Sequence, residues 1–417
     1  MNPPHSPFKT ARFRFAAAID STGVLCAPAV ALIGFDEATW PACTLLELTQ
    51  GDDPGAIDRS GEVLLPAFVN AHTHLDLTHI GPRPYDPRDG FDSWLQMILA
   101  ERRHDDAPIR ASVLRGVERC LAGGVVAVGD IAGVGRTEPL EELRASPLVG
   151  ESYIEFFGLG ARQRDAADAI AAVVAQHLAD DQSVRLGLSP HAPYTAGPAL
   201  CQHAGDSGLP VCTHLAESDA ERRFVEQGDG PMRTLLDALG VLDDDALADF
   251  GRGKRPIAHL ADALRARPWL LAHVCDASDD EIALLAETNA SVAYCPRSSS
   301  YFAHHAELGP HRYRDMLAAG VNVCLGTDSI VNLPPAERGA PTLGVLDEMR
   351  FLSQRDHTDP RTLLAMGTVN GAAALALDPE RFTLSPGEKA GLTSVRAAGS
   401  TLEDVLASRA QAELLTP

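Results

Sequence analysis

His72 and His74 stand one residue apart at the end of an apolar run, Leu64-Leu65-Pro66-Ala67-Phe68-Val69-Asn70-Ala71. On a strand, side chains i and i+2 share a face, which would set the two imidazoles side by side at the strand's C-terminal end. Two imidazoles on one face make half of a metal site. Polar residues recur at the ends of later apolar runs. They are His191 in Ser189-Pro190-His191-Ala192-Pro193-Tyr194, His214 with Glu217 in Thr213-His214-Leu215-Ala216-Glu217, His273 after Trp269-Leu270-Leu271-Ala272, and Asp328 in Gly326-Thr327-Asp328-Ser329. One such histidine alone reads as a core or surface residue, but a set repeated from strand end to strand end reads as a site. Zinc and iron take imidazole nitrogen with a carboxylate, and a catalytic site keeps one position for water. His72, His74, His214 and Asp328 meet that requirement. An ion held by them would lower the pKa of its water toward ~7.

The elements that must position these residues follow from periodicity. Short apolar strands alternate with amphipathic helical stretches from residue 64 to about 330, a pattern of βα units around a parallel sheet. The expected strands are 64–73, 125–129, 152–157, 184–189, 209–213, 269–272, 291–294 and 321–325, with helices such as 109–122, 165–178 and 279–287 between them. Eight such units predict an α/β fold, a (β/α)8 TIM barrel, whose chemistry sits at the C-terminal ends of its strands. Helices are expected at 343–355 and 360–376. Residues 1–63 hold short strand-like runs broken by Gly, Asp and Pro, and strand text returns after residue 378. The expected division is therefore 1–63 and 378–417 as one small β domain, split by a barrel over 64–377.

Composition limits the partners. A net charge of −22 over 417 residues argues against a nucleic-acid backbone, which needs a basic face. No apolar run approaches the ~20 residues of a membrane span. The apolar stretch 15–19 is too short for a signal peptide, so a cytoplasmic location is expected. Eight cysteines without a C-x-x-C pair do not suggest a zinc finger or a disulfide framework. A small-molecule substrate remains, and a barrel with an added domain is compatible with a homodimer. Arg297, after Cys295-Pro296, is a candidate contact for an anionic or carbonyl group, with Arg136 a weaker one. His79, His104, His304 and His305 read as loop or surface residues.

Taken together, Pro66-Ala67-Phe68-Val69-Asn70-Ala71-His72-Thr73-His74, Ser189-Pro190-His191-Ala192-Pro193-Tyr194, His214-Leu215-Ala216-Glu217, Ala272-His273, Tyr294-Cys295-Pro296-Arg297-Ser298, Gly326-Thr327-Asp328-Ser329 and Thr368-Val369-Asn370-Gly371-Ala372-Ala373 resemble the amidohydrolase superfamily. The likeness is to its branch of cytosine, guanine and S-adenosylhomocysteine deaminases and triazine hydrolases. It implies a barrel flanked by a β-sandwich made from both termini. It also implies one divalent ion, zinc or alternatively iron, on His72, His74, His214 and Asp328. By the same resemblance His273 orients the nucleophile or the tetrahedral centre, and Glu217 shuttles a proton to a ring nitrogen, with Asp328 taking the proton of the attacking water. Binuclear members use a carboxylated lysine on strand four. The lysines here are Lys9, Lys254 and Lys389, none at such a strand end, so a mononuclear site is expected.

The implied reaction is hydrolytic deamination of a cyclic amidine. In nucleoside-type members an aromatic residue and a glutamate after strand one contact the sugar side; Trp94 and Glu101 are the matching positions, with His191 near the base or sugar. The text His72-Thr73-His74-Leu75-Asp76-Leu77-Thr78 is similar to that of the aminodeoxyfutalosine deaminases. It departs from them at Asp76, where Glu is expected, and Lys389-Ala390-Gly391-Leu392 departs from the usual Ala-Asp-Leu. Competing readings are dechlorination of a triazine-like ring, opening of a cyclic amide, or a barrel that binds without catalysis.

Overall fold

The computed structural model describes residues 8–178, 182–333 and 342–416; residues 1–7, within the stretch weighed above as a leader, lie outside it. The centre is a ring of parallel strands: β1 (Phe68–Thr73), β2 (Val125–Ala132), β3 (Val149–Phe156), β4 (Val184–Pro190), β5 (Cys212–Leu215), β6 (Leu270–His273), β7 (Ser291–Tyr294) and β8 (Asn322–Leu325). All eight residues of β2 are buried, as expected of strands covered on both faces. The strands form two four-stranded sheets, β1–β4 and β5–β8. Single parallel bridges join them, Leu188 to Val211 on one side and Thr73 to Asp328 on the other. This is a TIM-barrel-like α/β fold.

The terminal segments meet in an eight-stranded sheet in which Ile57–Pro66 pairs with Phe8–Asp20 on one side and Leu392–Arg396 on the other. Phe13, Phe15, Ile33, Phe35, Leu45, Leu64 and Leu392 form its own buried cluster. The run expected as one strand over 64–73 is in fact two. Val63 to Pro66 belong to the terminal sheet, and the chain changes sheets at Ala67, whose N–H donates to the Gly391 carbonyl at 3.1 Å. The strand of the terminal sheet thus runs to Pro66, three residues past 63. The apolar pattern could not reveal this, because both strands are buried and alternate poorly. The helix expected over 360–376 is likewise split, into Pro360–Met366 and Val369–Ala374, by non-helical backbone at Thr368 (φ −134°, ψ −96°).

Two helical excursions stand over the C-terminal rim. Phe91–Glu101 follows β1, and a series of short helices that includes Asp219–Gln227 and Pro231–Ala238 follows β5. Among the described residues no helix is long and apolar enough to cross a membrane.

Candidate metal and catalytic site

The rim of the barrel gathers the strand-end residues into one buried cluster. His74 Nε2 lies 3.2 Å from His214 Nε2 and 3.3 Å from Asp328 Oδ1, and His72 Nε2 lies 3.7 Å from the same oxygen. Ligand-capable atoms of His72, His74 and Asp328 fall within 4.8 Å of one another, as do those of His72, His214 and His273 and those of Glu217, His273 and Asp328. His72 is fully buried, and neither of its ring nitrogens has a hydrogen-bond partner; His74 Nδ1 and His273 Nε2 are also unpartnered. Buried polar atoms left in this state cost free energy unless something pairs with them. A cation facing one nitrogen each of His72, His74 and His214 and the Asp328 carboxylate oxygen would pair the inward nitrogen of His72, and this donor set suits zinc.

The surrounding residues hold each group in place. Asp328 Oδ2 accepts from Ser298 Oγ at 2.9 Å and from Asn332 Nδ2 at 2.6 Å, which leaves Oδ1 facing the imidazoles. His214 Nδ1 lies 2.9 Å from the His191 carbonyl, fixing that ring so that Nε2 points into the cluster. The Glu221 carboxylate accepts the backbone N–H groups of Ala216 (2.9 Å) and Glu217 (2.8 Å), pinning the turn that carries Glu217. Ala216, His273 and Asp328 adopt positive φ (52°, 72° and 56°), a conformation that costs non-glycine residues of order 1–3 kcal/mol each and concentrates at working sites. Gly326 lets the last loop close over the first strand: a Cβ there would stand 2.8 Å from His72 Cβ and 2.9 Å from the His72 carbonyl oxygen.

Electrostatics separate the groups by type. Burial pushes the imidazoles of His72 and His273 down, and His74 down to about 3, so they stay neutral and available as ligands. Asp328 experiences the same burial, but the polar atoms turned toward it, the imidazoles of His273, His74 and His214 and the Ser298 hydroxyl, outweigh it and hold the carboxyl below the usual range. Burial is likewise outweighed at Glu217, by His273 and His304. Glu217 Oε1 lies 3.6 Å from His273 Nε2 and 3.9 Å from His304 Nε2.

A cavity of about 300 Å³ opens from this cluster. Its near end is lined by His74, His214, Glu217, His273 and Asp328, with Glu155 and His191 also on its wall. The remainder is mostly apolar, with Phe91, Trp94 and Leu95 from one rim helix and Met232, Leu235 and Leu236 from the other, and Arg102, Arg162 and Thr195 also on the wall.

Two of the expected substrate contacts lie elsewhere. Glu101 pairs with Arg83 at 2.5 Å and does not line the cavity. Arg297 points to Glu348, with Nε 2.6 Å from Oε1, because that carboxylate is fully buried on the helix Val345–Asp356 and takes the guanidinium as its counter-ion. Arg136 is held by Asp106 and Glu138. His79 bonds the Glu101 carbonyl, and His104 and His305 are exposed. His304 is different from its reading as a loop residue: it is buried against Glu217. Left-handed backbone at Ala303 (φ 57°) precedes it and starts the short helix that carries it. Glu155, Glu221, Ser298 and Asn332 had drawn no attention in the sequence. Ser298 lay within a motif already quoted, and Glu221 is four residues beyond Glu217, but Glu155 sits in an ordinary-looking strand.

A sequence model of the amidohydrolase family matches residues 63–409. The chain is 31% identical over 357 residues to the aminodeoxyfutalosine deaminase of Deinococcus radiodurans, covering 78% of this chain and 76% of that one. It is 30% identical over 382 residues to the 5-methylthioadenosine/S-adenosylhomocysteine deaminase of Natronomonas pharaonis, covering 87% and 76% respectively. The crystal structure of Helicobacter pylori aminofutalosine deaminase superposes with a TM-score of 0.75 at 20% identity, over 98% of both chains, a likeness of fold.

Proposed function

Since the chain belongs to the amidohydrolase family, we propose that it is a metal-dependent aminohydrolase deaminating an adenine-type nucleoside, of the aminodeoxyfutalosine or S-adenosylhomocysteine kind. The observation that carries this reading is the buried convergence of His72, His74, His214 and Asp328 beside the Glu217–His273 pair, at the closed end of a mostly apolar cavity. Those four residues are the proposed ligands of one divalent ion, zinc by its donor set. The ion, when bound, supplies Lewis acidity and a water of lowered pKa. A second ion of the carboxylated-lysine kind has no lysine to hold it. Lys389 Nζ donates to the Glu380 carbonyl in the terminal sheet, and Lys9 and Lys254 are exposed.

The chain's own groups perform the proton transfers. Asp328 Oδ1 accepts a proton from the attacking water, since Oδ2 is already committed to Ser298 and Asn332. Glu217, held ionised, takes the other proton of that water and passes it to the ring nitrogen beside the amino-bearing carbon, which lets the ring accept the new C–O bond. His273 Nε2, unpartnered and 3.6 Å from Glu217, orients the reacting oxygen. The proton taken by Asp328 then goes to the amine as the C–N bond breaks, and ammonia leaves a product with a carbonyl oxygen and a ring N–H. Each positioned transfer is worth on the order of 10² to 10⁴ in rate. Halide departure needs no proton, so a carboxylate set between two imidazoles favours the amine as leaving group over a chloride.

Trp94 and His191, on the cavity wall, are proposed to contact the substrate. The eight-stranded terminal sheet, with its own apolar cluster, supports the small β-sandwich expected from both ends of the chain and carries none of the site. Ammonia release, assayed on metal-loaded protein over adenosine, 5′-methylthioadenosine, S-adenosylhomocysteine and aminodeoxyfutalosine, tests the reading. Silence across that panel would end it.

A further inference from the structure

The cavity wall holds a third carboxylate for which the deamination has no use. Glu155, at the end of β3, is 3% exposed and lines the cavity with Glu217 and Asp328. Its Oε2 accepts the Val134 N–H at 3.1 Å, while Oε1 lies 3.9 Å from His191 Nε2, too far for a hydrogen bond. On its other side His191 Nδ1 meets Thr195 Oγ1 at 2.6 Å, and that hydroxyl also lies 3.3 Å from the Ala192 carbonyl. Either tautomer of His191 satisfies these contacts, and with the Thr195 hydroxyl donating at 2.6 Å the imidazole carries its hydrogen on Nε2. The Glu155 carboxylate oxygen and His191 Nε2 thus face one another, 3.9 Å apart, across a gap in the buried wall that no protein hydrogen bond spans. A hydroxyl, one donor with two acceptor lone pairs, is the neutral group that fits such a gap, donating to the carboxylate and accepting from His191 Nε2–H.

We propose that Glu155, together with His191, receives a sugar hydroxyl of the substrate, the 2′-hydroxyl next to the base, and so makes the site selective for ribonucleosides. The proposal rests on the nucleoside reading above. It assigns to Glu155 the acceptor role expected of Glu101, whose carboxylate is held by Arg83. The position suits the task. Glu155, His191 and His214 have ligand-capable atoms within 4.8 Å of one another, so the pair lies next to the reacting ring rather than at the far end of the cavity. The 2′-hydroxyl is the sugar hydroxyl that comes closest to the base.

The test compares 5′-methylthioadenosine with its 2′-deoxy counterpart on metal-loaded wild-type protein and on Glu155→Gln, which keeps an oxygen for the Val134 N–H. Ammonia release and calorimetric binding are both measured, with metal content determined for each protein. Wild-type protein is expected to prefer the ribonucleoside by ~10- to 100-fold in kcat/KM, chiefly through KM, the range for a hydrogen bond to a charged group. In Glu155→Gln the preference should shrink to within about threefold, with metal content unchanged. An undiminished preference in the variant overturns the role of Glu155, and so does an equal loss on both nucleosides. Hydroxyl-dependent binding that Glu155→Gln abolishes, without ammonia release, would uphold Glu155 and overturn the deaminase reading. Failure of wild-type protein to bind either compound overturns both.

Discussion

The two ends of the cavity are built by different means. At the closed end, side chains leave the last residues of β1, β5, β6 and β8 or the turns just after them, and two of them are fixed by further bonds, Asp328 accepting from Ser298 and Asn332 and His214 Nδ1 meeting the His191 carbonyl. At the open end, Phe91, Trp94, Leu95, Met232, Leu235 and Leu236 project from two rim helices and share one apolar cluster. Directional bonds at one end fix the reacting atoms to fractions of an ångström, which proton transfer demands. Non-directional packing at the other end tolerates changes of shape, so the choice of substrate can vary while the chemistry stays fixed.

The sharpest way to break this contrast is at the closed end. Asp328→Ala should abolish metal retention and lower kcat/KM by more than ~10⁴, the upper range for one proton transfer, because the ion's contribution goes too; metal analysis alongside kinetics checks both. Glu217→Gln should lower kcat by ~10² to 10⁴ while metal content stays at wild-type level. Loss of metal in that variant would remove Glu217 from its assigned role. Trp94→Ala acts at the open end and should raise KM by roughly 10- to 200-fold with kcat nearly kept, the range for apolar contacts in a pocket. A fall in kcat equal to that of Glu217→Gln would mean that the two ends are not separable.

The gentlest probe is pH. The folded pKa of His74 is near 3, against an ordinary value of 6.5, so between these values the unfolded chain binds the proton that the folded chain refuses. Metal-free protein should therefore hold the His74 contribution above about pH 6.5 and lose stability progressively as the pH falls toward 3. Denaturant midpoints across that window should drop less steeply in His74→Gln, and Trp94→Ala should leave the slope as it is.

Legibility in the sequence follows the same division. His72, His74, His214, His273 and Asp328 stand out in the sequence because each lies at or just after the end of a short buried strand, and strand ends in a barrel share one rim whatever the loops do. Glu101 was misdirected by spacing. It follows Phe91, Trp94 and Ile98 in helical phase, yet Arg83, eighteen residues earlier, takes its carboxylate at the helix end. Arg297 was lost to Glu348, fifty-one residues away, a distance at which no local pattern speaks. The helix Pro231–Ala238 carries no chemical motif, and its place on the cavity wall depends on how a chain of short helices folds back over β5. The break at Ala67 between terminal sheet and barrel escaped notice because two buried strands in sequence read as one.

The barrel's two joints give the ligand set a mechanical meaning. His72 and His74 belong to the half-ring β1–β4, His214 and Asp328 to the half-ring β5–β8, and the bridge Thr73 to Asp328 is one of the two places where the halves are stitched. An ion held by all four would act as a clasp across the split. Its removal would then loosen the ring along that line before any strand within a half lets go, and amide exchange on stripping the metal should quicken first around His72 and Asp328.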